Sequence, residues 1–361
     1  MGRATRIDRQ RKLPAVLTAR VVAGERDAPV YHRVREAKSP LADLVAGSQI
    51  HEHPLKLFNE YWRDREPFVF IIDFELRKPR TWKLPSEEIL FDFSGGSKPS
   101  EVSIETVPVP FESYSKKFDV VMDHLLYGDS FLTNLTIKTK VESNLSLHDL
   151  YYASKARYKF YLKDSFLVFS PETFVRIEDG FIYSYPMKGT IDASIPGAEE
   201  KILADRKEMA EHVTIVDLIR NDLSMIAEDV KVTRFRYIDK INTHGRSLLQ
   251  VSSEIRGKLL PSFSSDPAAA LLSLLPAGSV SGAPKAKTLE VIREAEGEDR
   301  GYYTGICGYY NGTSLDSCVM IRFIEQQGRE LFYRSGGGIT TQSEVRSEYQ
   351  EAQDKIYVPI D

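Results

Sequence analysis

Four glutamates, a lysine and an arginine carry the chemistry legible in this chain. Glu208 and Glu211 stand three apart in a stretch with helical spacing, so both carboxylates face one side of a helix. Glu348 and Glu351 repeat that spacing near the C-terminus. Alone, either pair reads as an ordinary solvated helical face. Together they form an all-oxygen donor set that suits Mg²⁺, a hard cation that keeps several waters and accepts a substrate carboxylate. No zinc-type cluster of His and Cys accompanies them, and His212, beside Glu211, points to a different side of the helix.

Lys188 lies in Tyr185-Pro186-Met187-Lys188-Gly189-Thr190, after a β-rich run from Phe174 to Tyr183. The Asp179-Gly180 pair in that run reads as a hairpin turn. Proline cannot donate to a sheet ladder, and glycine lets backbone approach a ligand closely. Lys188 is therefore expected where a strand runs out, its amine delivered to a pocket. Taken alone, such a lysine is ordinarily a solvated surface charge. Two glycine-rich segments, Pro276 to Lys285 and Gly336-Gly337-Gly338, offer backbone N–H groups to an anion or else make tight turns. Neither has P-loop spacing. Arg322 is expected in a strand among Val319, Ile321 and Phe323, where a guanidinium needs a carboxylate partner.

The elements that must position these groups follow from local pattern. Residues 1–50 hold one aromatic residue, Tyr31, and many arginines, so a disordered tail is expected. Asp8, Glu25 and Asp27 argue against a targeting presequence, and a start site placed too far upstream would explain the tail equally well. Residues 51–105 read as a short N-terminal unit packing on the core, with strands at Phe68–Phe74 and Ile89–Phe93 and an end at Gly95-Gly96-Ser97. Residues 106–361 form the main domain. Helices are expected over Tyr114–Tyr127, Ser146–Ala156, Glu199–Asn221, from Asp266-Pro267, over Pro284–Glu294 and from Val345. Strands are expected at Phe131–Ile137, Phe166–Phe169, Val230–Phe235, Leu248–Gly257 and Phe332–Ser335. Tyr303–Tyr310 and Cys318–Glu325 pair as a hairpin around Asn311-Gly312. Strands with irregularly interspersed helices predict an α+β fold rather than parallel βαβ units.

Composition removes several alternatives. A net charge of −4 gives no general reason to expect nucleic acid or an acidic membrane surface. No apolar run approaches the roughly 18 residues that span a bilayer. The two cysteines, Cys307 and Cys318, cannot make a disulfide framework and are expected to stay reduced in a cytoplasm.

Ser170-Pro171-Glu172, Pro186 to Thr190, Asp217-Leu218-Ile219-Arg220-Asn221-Asp222, Pro276 to Lys285, Gly336 to Ile339 and Glu348-x-x-Glu351 occur in that order. The set resembles the chorismate-utilising enzymes (anthranilate, aminodeoxychorismate, isochorismate and salicylate synthases) over roughly residues 110 to 356. The resemblance implies two large packed antiparallel sheets with outer helices and a site between them. It implies Mg²⁺ held by Glu208, Glu211, Glu348 and Glu351 and bound to the ring carboxylate of chorismate. Physics agrees, since four carboxylates would repel a dianion without an intervening cation. By the same resemblance Tyr303, Arg322 and the Gly336, Gly337 and Gly338 amides receive the enolpyruvyl carboxylate. Ser279 and Thr190 line the site, and Glu172 is the acid that assists departure of the C4 hydroxyl.

A lysine at position 188 resembles aminodeoxychorismate synthase component I, because anthranilate synthase carries alanine there. Met187 departs mildly from the isoleucine usual in that motif. Gln250 stands where the family has a histidine tied to pyruvate elimination, and glutamine exchanges no proton at neutral pH. His244 lies six residues upstream, within reach of taking its place in space. The implied reaction joins chorismate and ammonia to give 4-amino-4-deoxychorismate, on the route to p-aminobenzoate and folate. No glutaminase arrangement is evident, so ammonia is expected from a separate glutamine amidotransferase subunit or from solution. Anthranilate or isochorismate formation on the same scaffold, and a non-catalytic chorismate-binding regulatory subunit, are the rival readings.

Overall fold

The computed structural model describes residues 52–93, 101–243 and 246–360. The N-terminal tail, Gly95-Gly96-Ser97 and His244 lie outside the described residues. The chain opens with α1 (Glu52–Arg63), β1 (Phe68–Ile72), β2 (Arg80–Lys83), β3 (Ile89–Asp92) and β4 (Ile104–Val107). Next come α2 (Phe111–Tyr127), β5 (Leu132–Ser143), α3 (Leu147–Ala153), β6 (Tyr158–Leu162) and β7 (Phe166–Ser170). The hairpin β8 (Thr173–Glu178) and β9 (Phe181–Ser184) leads into β10 (Met187–Asp192). Helices α4 (Ala198–Ala204) and α5 (Arg206–Ser224) precede the long strands β11 (Ala227–Thr243) and β12 (Arg246–Leu259). Then come α6 (Pro261–Ser265), α7 (Pro267–Leu274), β13 (Gly282–Ala283) and α8 (Lys285–Glu296). The chain closes with β14 (Ile306–Tyr310), β15 (Leu315–Val319), β16 (Phe323–Gln327), β17 (Glu330–Ile339) and α9 (Val345–Asp354).

These strands make two antiparallel sheets. One runs β10-β12-β9-β8-β15-β14-β1-β2, with β11 on the other edge of β12. The second runs β13-β5-β17-β16-β7-β6-β3, with β4 against β5. β1 shows why they pack. Val69 and Ile71 join Phe160, Phe166, Val168 and Phe323 of the second sheet in one cluster. Phe68, Phe70 and Ile72, on the opposite face by strand alternation, join the α1 and α7 side chains Phe58, Leu271 and Leu274. An almost continuous apolar run is what a strand covered on both faces requires. The second sheet is covered in turn by α2, α8 and α9, where Val121, Val291 and Ala352 pack on Leu135 and Ile137. Residues 51–105 supply β1 and β2 to one sheet and β3 and β4 to the other.

Several expectations change. The Glu199–Asn221 helix is two helices, because Asp205 adopts an extended conformation and its side chain accepts from the N–H groups of Lys207 and Glu208. β2, β4 and β6 were not expected. β17 runs through Gly336–Gly338, which pair with Thr136, Leu135 and Asn134 of β5 rather than forming a turn after the strand. Arg322 is in no strand: it sits between β15 and β16 at φ 54°, where the chain crosses from one sheet to the other. The Asn311-Gly312 hairpin is shorter than expected, β14 and β15 alone.

Candidate active site

β10 pairs with β12, but the register shifts between Met187 and Thr190, leaving Lys188 and Gly189 in a bulge. Lys188 thus stands near the start of a strand, not at its end. Gly189 has φ 83°, and a Cβ there would lie 3.0 Å from Glu208 Oε2. The bulge therefore presses against the acidic face of α5. Lys188 Nζ is 3.6 Å from Glu211 Oε2, with the two side chains 40% and 37% exposed. Lys207 Nζ is 4.0 Å from the other oxygen of Glu211. Burial, then repulsion from Glu211, pushes the Glu208 carboxyl above its ordinary range. Thr190, exposed, lies opposite Gln250.

Glu172, between β7 and β8, accepts a hydrogen bond from Ser279 Oγ at 2.5 Å. Burial raises its carboxyl, while the Ser279 bond and the charges of Lys188, Arg322 and Lys355 pull the other way. Those three cations therefore surround one carboxyl. The Arg322 guanidinium stacks on the Tyr357 ring at 5.0 Å, and its buried Nε has no hydrogen-bond partner among the described residues. Tyr303 is buried beneath, its hydroxyl pushed up to about 12 by burial.

The glycine strand brings in the second acidic pair. A Cβ on Gly337 would lie 3.5 Å from Glu348 Oε2, 3.5 Å from Glu351 Oε1 and 3.6 Å from Lys355 Nζ. Lys355 Nζ donates to Gly336 O at 2.9 Å and to Glu351 Oε1 at 2.6 Å. Glu348 is raised by burial, eased by a Ser343 hydrogen bond and raised again by Glu351. The charge of Lys207 on α5 acts on both Glu208 and Glu348. Among the described residues no three acidic, His or Cys side chains close into a ligand group, and the glutamates stand as two pairs. The donor set still fits Mg²⁺ chemically. It is all oxygen, and each pair carries a carboxyl raised first by burial and then by the charge of its neighbour.

Sequence reading missed Lys355, although its i+4 spacing from Glu351 was the available signal. It also missed that Lys285 Nζ meets Asp222 Oδ2 at 3.1 Å, which clamps two motifs together behind Ser279.

Residues 79–361 match a family model described as chorismate binding enzyme. A Haemophilus influenzae protein with the name uncharacterized PabA-like protein is 46% identical over 319 residues, 86% of this chain and 97% of that one. Anthranilate synthase component 1 of Acetivibrio thermocellus is 32% identical, over 76% of this chain and 56% of the relative. Aminodeoxychorismate synthase component 1 of Bacillus subtilis is 28% identical, over 72% of this chain and 57% of the relative. The chain thus spans little more than half the length of those two synthases. Among solved structures, anthranilate synthase component I from Streptococcus pneumoniae has the same fold, at TM-score 0.62 and 28% identity, over 72% of this chain and 60% of that one. Among the described residues no helix is long and apolar enough to cross a membrane.

Proposed function

Because the chain belongs to the chorismate binding enzymes, we propose that it aminates chorismate to 4-amino-4-deoxychorismate through a covalent link to Lys188. The observation that carries this reading is Lys188 on the β10 bulge, 3.6 Å from Glu211, with its charge also acting on the buried Glu172 carboxyl. A carboxyl whose pKa is raised by burial suits an acid. An amine must be neutral to attack.

In the proposed sequence the Lys188 amine forms a bond to ring C2, the ring double bonds shift, and the C4–O bond breaks. Glu172 gives its proton to the departing hydroxyl, which leaves as water. Ammonia then forms a bond to C4, the double bonds shift back, and the C2–N bond returns its electrons to Lys188. The incoming nitrogen sheds a proton that restores Glu172. The sum is chorismate plus ammonia giving 4-amino-4-deoxychorismate plus water. Arg322, with no partner for its Nε among the described residues, suits a substrate carboxylate, as do those amides of Gly336–Gly338 that the ladder with β5 leaves open. Tyr303, Ser279 and Thr190 complete the proposed lining. Mg²⁺, held by Glu208, Glu211, Glu348 and Glu351, would neutralise the ring carboxylate.

The ammonia source in this reading is a separate amidotransferase subunit or solution, and the compartment is the cytoplasm, serving p-aminobenzoate and folate synthesis. The 32% identity to an anthranilate synthase is the observation that favours the rival product. Against it stand Lys188 itself and Gln250, whose amide acts neither as acid nor as base at neutral pH and so cannot serve pyruvate elimination.

Intact-protein mass spectrometry tests the covalent step. Wild type quenched with chorismate and Mg²⁺ without ammonia is expected to gain an adduct that Lys188→Ala lacks. Absence of an adduct, together with full amination by Lys188→Ala, would overturn the proposal.

A further inference from the structure

The bulge at Lys188 leaves a polar group in need of a partner. Where the β10–β12 register shifts, Met187 pairs with Ser252 and Thr190 with Gln250, so the ladder skips the backbone of Lys188 and Gly189. A backbone carbonyl left unpaired beside a buried helix costs free energy and leaves the residue poorly aimed. His212 lies in that gap. It is wholly buried on α5, one residue beyond Glu211, and its Nε2 is 2.7 Å from Ser253 Oγ. Its buried Nδ1 has no hydrogen-bond partner among the described residues, and the Lys188 backbone is the polar group that acts on the ring from that side. Ser253 Oγ also accepts the Arg236 backbone N–H at 3.0 Å, and the Ser253 backbone N–H donates to Pro186 O at 2.9 Å.

Proton counting orders these contacts. Ser253 Oγ already accepts from Arg236, so its single proton is free to go to Nε2. A neutral imidazole then carries its proton on Nδ1, the nitrogen that faces the Lys188 backbone. The Arg236 N–H and the Ser253 O–H are each used once in this chain, which leaves the His212 Nδ1–H as the donor available to the Lys188 carbonyl.

We propose that His212 is the positioning residue for Lys188: it replaces the ladder bond that the bulge removes and so fixes the direction of the amine. This rests on the reading of Lys188 as the nucleophile, and the test separates the two.

Wild type, His212→Asn, His212→Gln and Ser253→Ala are compared by two measurements. One is kcat and KM for amination of chorismate. The other is the rate at which Lys188 is acylated by an amine-reactive ester, followed by peptide mass spectrometry. Asparagine places an amide N–H where Nδ1–H stands, whereas glutamine reaches only the Nε2 position. His212→Gln is expected to lower kcat about 10²-fold with KM for chorismate held, the loss that misplacing a reacting group by about 1 Å brings. His212→Asn is expected to recover most of that loss, and Ser253→Ala to fall between. Lys188 acylation should change in His212→Gln and return toward wild type in His212→Asn. A merely space-filling histidine would not distinguish the two amides, so equal kcat and equal acylation in both overturn the inference. If wild type forms no aminated product, the proposed function fails, and the acylation pattern alone decides the role of His212. Equal Lys188 labelling in all four proteins would then overturn it.

Discussion

Two charged clusters in this molecule use similar groups to opposite ends. Arg300, 1% exposed, donates to Glu296 at 2.6 and 2.9 Å, to Val280 O at 2.8 Å and to Asn134 O at 2.7 Å. Glu296 also accepts from the N–H and hydroxyl of Thr136, both at 2.9 Å. That strut ties α8 to β5 and to the turn before β13, with its ionic oxygens and nitrogens engaged. Around Glu172 the accounting stays open: Lys188 and Glu211 stand 3.6 Å apart and partly exposed, and Arg322 Nε is buried without a partner among the described residues. Saturated buried charge holds a fold in one arrangement, whereas unsaturated charge has capacity left for a ligand.

The comparison is broken most severely at the strut. Arg300→Met should cost about 3–5 kcal/mol of stability, because it leaves Glu296 buried without its counter-charge. Urea unfolding measures this, and a loss under about 1 kcal/mol would mean that the strut is not saturated as described. Glu172→Gln should do the reverse, leaving the unfolding midpoint close to wild type while kcat falls roughly 10²- to 10⁴-fold. A loss appearing in KM alone would make Glu172 a binding residue. Glu211→Gln should raise the Mg²⁺ needed for half-maximal turnover by at least about 10-fold, read by titrating the metal. An unchanged requirement would remove Glu211 from the cation site.

The smallest effect belongs to a partly exposed ionic contact at the end of α2. His124, in the last turn of α2, lies 2.6 Å from Asp129 and 3.1 Å from Glu294, and its pKa is raised chiefly by the Asp129 hydrogen bond. A raised folded value means the contribution is complete below the unfolded value of about 6.5 and is lost as pH rises through the folded one. For a pair this exposed it amounts to no more than about 1 kcal/mol. Unfolding midpoints between pH 6 and 8 should show a slightly flatter profile in His124→Gln than in wild type.

Local chemistry was legible where one short stretch decides it. Asp179-Gly180 makes the β8–β9 turn, Asp266 caps α7 by accepting from Ala269, and Ser146 caps α3. The cap at Asp205 was hidden because the apolar spacing continues across it, so only the backbone shows the break. Arg322 read as a strand residue since its neighbours are apolar, yet the crossing between sheets is a long-range event that leaves no local pattern. Mutual placement was the least legible feature. Glu172 and Ser279 share a hydrogen bond across 107 residues of chain, and only the pairing of whole sheets brings them together. His212 faces inward against a bulge that no spacing rule marks.

The central claim is that the open cluster aminates chorismate and stops there. The most direct measurement is mass-resolved product analysis of pure protein incubated with chorismate, Mg²⁺ and ammonium. The account predicts 4-amino-4-deoxychorismate as the accumulating product, with amination lost in Lys188→Ala. Anthranilate or isochorismate as the main product of wild type would contradict it.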